Sequence, residues 1–209
     1  MPSLTSSTEP GSPVIGSREA QRLETRARLF DAAVAEMSRS GLAGADVSTI
    51  ATAVGVARGT FYFHFPTKEH VMVELERAEE ALIVAELDNG QTAPDDLTSM
   101  LSRLMRHVRA AEQRLGPVVF RDMLGLHFSS ARPVEEELSE HPLAEFLVSA
   151  IGKAQRAGRV PRDADAGELG VFFLTGLFAL LATGGAAGDA RDAMLDRYVV
   201  TIVHGMETR

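Results

Sequence analysis

Between Arg58 and Lys68 the chain places Arg58, Thr60, Tyr62, His64 and Lys68 among the rings of Phe61, Phe63 and Phe65. A solvated helix does not need so many rings and donors on its outer side. Arg58 is the sole long donor of the stretch Ala57 to His64. It is the candidate for a bidentate contact with a guanine edge, or for a phosphate. Gly59 carries no side chain and lets the backbone approach a duplex closely. Thr60 and Phe63 offer methyl and ring carbons to a thymine methyl, and Thr60 can also hydrogen-bond. Phe61 and Phe65 are assigned to the interior. Ser48 and Thr49, ahead of this stretch, are further candidates for phosphate contact, with simple solvation as the alternative.

The elements that must position these residues are legible nearby. Asp46 can cap a helix on which Val47, Ile50, Ala51 and Val54 share one apolar face. Gly55 ends that helix in a turn that only glycine makes without a Cβ penalty, and a second helix runs from Ala57 to His64. The product is a helix-turn-helix. Residues 18 to 40 read as a preceding helix with Leu23, Ala27, Phe30, Val34 and Met37 as its core stripe and Gly41 as its terminator. Arg18, Arg22 and Arg26 recur every fourth residue on another face. They are either an arginine row near a nucleic-acid backbone or a solvated face paired with Glu19 and Glu24.

The run Ile50-Ala51, Gly55-Val56, Gly59-Thr60, Phe61-Tyr62, His64-Phe65 and Lys68-Glu69 resembles the DNA-binding domain of the TetR family of bacterial transcriptional regulators. The resemblance covers roughly residues 18 to 75. It implies that Tyr62, His64 and Lys68 donate to phosphates. It also implies an all-α chain with an N-terminal three-helix helix-turn-helix domain, a C-terminal helical ligand-binding and dimerisation domain, and no cofactor. Two positions depart from the family pattern: Asp46 stands where threonine is usual, and Ala57 where a serine often begins the recognition helix. An aspartate caps well but repels phosphate, and alanine lacks a hydroxyl.

With 209 residues and a net charge of −8, the chain is long enough for two modest domains but acidic for a DNA binder. The acid is unevenly placed. Residues 17 to 70 carry seven Arg/Lys against six Asp/Glu, whereas residues 71 to 209 carry fourteen against twenty-two. A near-neutral head on a body that repels DNA fits a specific reader better than a coating protein. Zero cysteines excludes disulfides and thiol chemistry and fits a cytoplasmic setting. Residues 1 to 16 lack a basic region and an apolar segment and read as a disordered tail.

The expected domains are therefore 17–66 for the head and 67–209 for the body. Pro66 and Thr67 precede a long helix with Val71, Leu75, Ala78, Leu82 and Ala85 along one face, a lever shared by both domains. A loop follows at 89–96, then helices over 96–114 and from Gly116-Pro117 to about Ala131. A further helix is expected from Pro133, with its acidic start at Glu135 to Glu137 solvated rather than metal-binding, running to about Gly158. Met100, Leu104, His107, Phe120, Met123, His127, Phe128, Phe146 and Phe173 are the candidate lining of a ligand pocket, with an ordinary core as the alternative.

From Leu169 to Gly188 the sequence carries no Asp, Glu, Lys or Arg until Asp189. Glycines at 184, 185 and 188 cut the apolar helix to about Ala166 to Ala182, and no basic flank marks a membrane orientation. A helix apolar nearly all round needs covering on several sides. Phe172, Leu174, Phe178, Leu181, Leu195, Val199 and Ile202 are the candidate dimer interface, and the resemblance implies the same four-helix arrangement.

The expected partners are thus a double-stranded DNA operator, a small, lipophilic effector and a second copy of the chain, with no membrane. An enzyme is disfavoured. No Gly-rich phosphate loop, nucleophile elbow or metal-spaced cluster appears, so no catalytic or metal residue is assigned. A DNA-binding dimer whose C-terminal part only dimerises or senses a protein stays open.

Overall fold

The computed structural model describes residues 16–89, 96–134, 141–183 and 188–207. Among these, nine helices and no strand make an all-α, two-domain fold. The head holds α1 (Ser17–Gly44), α2 (Val47–Val54) and α3 (Arg58–His64). The body holds α4 (Lys68–Asn89), α5 (Leu97–Leu115), α6 (Pro117–Leu126), α7 (Pro142–Arg156), α8 (Ala166–Thr183) and α9 (Asp189–Met206).

The local signals of the head act as their chemistry dictates. The Asp46 carboxylate accepts from the backbone N–H of Ser48 at 3.1 Å and of Thr49 at 3.2 Å, capping α2. Gly55 takes the left-handed conformation, φ 78°, and ends it. Within α1 the helix is interrupted at Gly41, φ 74°, so the terminator works although helix resumes to Gly44. Val47, Ile50, Ala51 and Val54 are all buried, as are Phe61 and Phe65.

The core stripe of α1 holds in its second half, where Met37 is buried and Phe30 and Val34 pack against the core, and fails at its start. Leu29, Ala33 and Met37 are buried at i, i+4 and i+8, while Leu23 and Ala27 lie outside. The N-terminal turns of α1 extend beyond the body of the head, so apolar residues there have nothing to pack against. In α4 the expected face holds through Val71 and Leu75, then fails. Ala78, Leu82 and Ala85 are exposed, and Glu76, Glu80, Ile83 and Leu87 take the inner positions. Binary patterning cannot assign a glutamate to the interior, so it followed the wrong side of the helix.

Residues 133 and 134 are not helical and the next helix begins at Pro142, at its first turn, where a missing N–H costs nothing. The assigned tail (1–15), most of the loop (90–95), the acidic run (135–140) and glycines 184 and 185 lie outside the described residues. Helix α8, long and apolar enough to cross a membrane by length and composition, here packs on α6, α7 and α9 and buries Gly170, Phe173, Leu177, Phe178 and Leu181. The Tyr198 hydroxyl of α9 donates to the Phe173 carbonyl at 2.7 Å, and burial pushes its pKa up to about 12.

Candidate nucleic-acid interface and its links to the body

Helix α3 is seven residues long and gains its stability from packing rather than length. Phe61 is fully buried, sits 5.7 Å from the Phe65 ring, and fixes the rotation of the helix. Given that rotation, Arg58, Gly59, Tyr62 and Phe63 must face outward, and all four are exposed. Phe63 is 72% exposed, a ring left in water that no packing requirement explains.

Arg58 lies over the Tyr62 ring, 5.6 Å from its centroid, and donates to the Tyr62 hydroxyl at 3.2 Å. The pair forms a preorganised surface: the guanidinium is held near the end of α3 yet remains exposed, with donors to spare. Thr60 and His64 are half-buried. Burial, with the charges of Arg22 and Arg26, holds the His64 imidazole below its ordinary range. At neutral pH it therefore offers a neutral ring N–H rather than a charge.

The candidates on α2 differ from one another. Ser48 is exposed, whereas the Thr49 hydroxyl is engaged on Asp46 at 3.1 Å. The Asp46 carboxyl is held below its ordinary range chiefly by the Ser48 N–H, which with Thr49 outweighs the opposing effect of burial. Lys68 is turned toward the last turn of α1 and the loop that follows it, donating to the carbonyls of Ala43 at 2.8 Å and Ala45 at 3.2 Å. Its ammonium secures the start of α4 to the head and leaves one donor over.

The arginine row divides. Arg22 pairs with Glu19 at 2.7 Å on an exposed surface. Arg26 makes a forked contact with Glu74 of α4, 2.6 Å at Nη1, and lies 4.6 Å over the Phe65 ring. Arg28, which the row did not include, donates to the Val54 carbonyl at 2.9 Å and closes the end of α2. A third link comes from α6: the Asp122 carboxylate accepts from the Leu42 N–H at 2.6 Å, just past the Gly41 interruption. Lys68, Arg26–Glu74 and Asp122 thus join the head to both α4 and α6.

In the body the candidate pocket residues fall into separate places. Met100 and Phe146 line a cavity of about 640 Å³ between α4, α5 and α7. Phe120 and Met123 line a void of about 20 Å³. His127 and Phe128 line a cavity of about 330 Å³ that shares Glu80 and Phe178 with that void. Leu104 is packed in the core, Phe173 stacks near Tyr198, and His107 is tied to Glu86 of α4 at 2.8 Å.

The residues that sequence reasoning missed are Glu76 and Glu80, with their neighbours Arg132 and His141. Glu76 is buried and receives His127 and, at 2.8 Å, Arg132. Burial acts against its ionised form, but those two partners outweigh it and hold the carboxyl below the ordinary glutamate range. The available signal was spacing: Glu76, Glu80, Ile83 and Leu87 fall at i, i+4, i+7 and i+11. Of the candidate interface residues, Phe178, Leu181, Leu195 and Val199 are already buried within the chain's own core. The apolar surface left on α8 and α9 is Val171, Phe172 and Val200, with Leu174 and Ile202 half-buried beside it. Among the described residues no cluster of His, Cys, Asp and Glu has the makings of a metal site.

Residues 29–75 match the profile described as bacterial regulatory proteins, tetR family. The HTH-type transcriptional regulator AcrR of Shigella flexneri is 35% identical over 92 residues, 44% of this chain and 42% of that protein. The HTH-type transcriptional repressor SCO4008 of Streptomyces coelicolor is 29% identical over 137 residues, 64% of this chain and 66% of that protein. The chain thus spans between 42% and 66% of the length of these two curated relatives. Among solved structures, Thermus thermophilus FadR, a TetR family transcriptional repressor in complex with lauroyl-CoA, superposes with a TM-score of 0.72. That match has 21% identity and covers 88% of this chain and 96% of that one. The matched segment holds the capped α2, the Gly55 turn and the outward face of α3, and it is this segment that the chain shares with the DNA-binding domain of the TetR family of transcriptional regulators.

Proposed function

We propose that the chain represses transcription as a homodimer that binds a two-fold symmetric operator and releases it when a small, apolar effector occupies the body. One observation carries the DNA half of this reading: α3 buries Phe61 and presents Arg58, Tyr62 and Phe63 to solvent. Two such helices, one from each copy, reach successive major grooves when they sit about one DNA turn, roughly 34–36 Å, apart. The exposed Val171, Phe172 and Val200 on α8 and α9 supply the apolar surface for a second copy.

Release requires a ligand that prefers another head spacing. Helix α4 carries both Lys68 and Glu74, which grip the head, and Glu80, which lines a cavity. A shift of α4 or α6 is therefore passed to α1 through Lys68, Glu74 and Asp122. A tenfold to hundredfold loss of operator affinity needs about 1.4–2.8 kcal/mol of coupling, and the operator then weakens the effector by the same factor. The structural neighbour bound to lauroyl-CoA supports an effector with an apolar, acyl-like part.

The dimer is tested at Phe172, which is 61% exposed. Phe172→Asp is expected to leave the stability of the single chain within about 0.5 kcal/mol. Light scattering should report a monomer, with operator binding lost. An intact dimer would place the interface elsewhere. Phe178→Asp is not a substitute, because that side chain is buried and the change would unfold the chain.

A further inference from the structure

Arg58 and Tyr62 stand one turn apart on the outer face of α3. A guanidinium has N–H donors and no acceptor, so in the 3.2 Å contact between Arg58 Nη2 and the Tyr62 hydroxyl the arginine donates and the hydroxyl oxygen accepts. The hydroxyl proton is left to point elsewhere. The guanidinium also lies over the Tyr62 ring, 5.6 Å from its centroid, so one face of the planar fork rests on the ring while its remaining N–H groups stay at the edges.

Tyr62 is itself held from the interior. Its ring meets the Phe61 ring edge-on, with centroids 5.6 Å apart and an interplanar angle of 89°, and Phe61 is fully buried. Position therefore passes outward in two steps, from a core ring to Tyr62 and from Tyr62 to Arg58. Little else fixes the arginine stem. Arg58 is the first residue of α3 and has no preceding turn of that helix to lie against, and Gly59 beside it has no side chain. The Asp46 carboxylate bears on the guanidinium through its charge, but its oxygens are engaged on Ser48 and Thr49.

We infer that Tyr62 is a positioning residue for base readout: its ring and hydroxyl oxygen hold the Arg58 fork toward one base edge, while its free hydroxyl proton goes to the adjoining phosphate. Positioning of this kind rests on the DNA-reading half of the function proposed above and gives Tyr62 a part in specificity. A phosphate contact alone would not, because it is the same for every sequence. A fork reading guanine O6 and N7 needs two N–H groups in a fixed direction, and a guanidinium left to swing on its stem meets that geometry in fewer of its conformers.

The test uses the purified full-length chain, a duplex that it selects and single-base variants of that duplex, compared by competition anisotropy. Arg58→Ala first identifies the base pair at which discrimination is lost. Tyr62→Phe keeps the ring and removes the acceptor; it is expected to lose at least about threefold in discrimination at that same base pair, with the other positions unchanged. In the Arg58→Ala background Tyr62→Phe should change discrimination there no further. Circular dichroism checks that each variant folds. A uniform loss across all duplexes in Tyr62→Phe would make Tyr62 a phosphate contact only and overturn the assignment, as would an equal effect with and without Arg58. Tighter binding by Tyr62→Phe with unchanged selectivity would also overturn it, since Tyr62 would then be holding Arg58 back from the duplex. The parent chain separates the two levels. If the parent discriminates and Tyr62→Phe matches it, the positioning role falls and DNA reading stands; if the parent discriminates at no base pair, both fall.

Discussion

In the head, the rings of Phe61 and Phe65 are interior and the donors of Arg58 and Tyr62 lie in solvent; in the body, Glu76 and Glu80 are interior and Val171, Phe172 and Val200 lie in solvent. The head keeps the ordinary arrangement of rings inside and donors outside, and the body inverts it. An exposed donor on a short helix is free to bond to a duplex, and an exposed apolar patch is free to be covered by a second copy. A buried carboxylate is the costliest of these, and it is retained where partners such as His127 and Arg132 surround it. In the proposed function the head is the surface that reads DNA and the body the interior that responds to the effector.

The contrast is broken most severely by removing what orients α3. Phe61→Ala deletes a fully buried ring and should cost about 3–5 kcal/mol in chemical denaturation, abolishing DNA binding by unfolding the head. Phe63→Ala, at the exposed neighbour, should stay within about 0.5 kcal/mol of the parent while weakening DNA binding. If the two changes had equal effects on stability, the rotation assigned to α3 would be wrong.

A smaller effect is expected at Arg58. Arg58→Ala should reduce discrimination at one base position by about 1–3 kcal/mol, read from competition between the preferred duplex and single-base variants. Unchanged selectivity would assign Arg58 to a phosphate instead. Gly55→Ala forces a Cβ into a left-handed backbone, φ 78°, and should cost about 1–2 kcal/mol of stability without altering base preference.

The mildest test addresses the body. Glu76 has its pKa depressed in the folded state, so its contribution is present above the ordinary glutamate range and is lost as pH falls through the lowered value. Unfolding midpoints measured at falling pH should decline below that range in the parent and decline less in Glu76→Gln. A matching acid limb in both would mean that Glu76 is not held by His127 and Arg132.

How much of this was legible follows the same division. The capping of α2 by Asp46, the Gly55 turn and the inward Phe61 and Phe65 were readable because each depends on residues within a few positions of one another. The same local signals placed Arg58, Tyr62 and Phe63 on the outer face. The engagement of Lys68 with Ala43 and Ala45 was not readable, because those partners are more than twenty residues away in sequence. In the body, apolar periodicity chose Ala78, Leu82 and Ala85 and missed Glu76 and Glu80, since a buried carboxylate looks polar until His127, Arg132 and His141 are brought beside it. Likewise Phe178, Leu195 and Val199 were apolar in the right places for an interface, but the fold of one chain already buries them.

The central claim, that two α3 surfaces read DNA together, is tested most directly by selecting bound sequences from a random duplex pool with the purified protein at two salt concentrations. The account predicts enrichment of a two-fold symmetric site whose half-sites lie about one helical turn apart, or a multiple of it, with affinity falling as salt rises. Recovery of a single asymmetric half-site, or of no preferred sequence at either salt concentration, would contradict it.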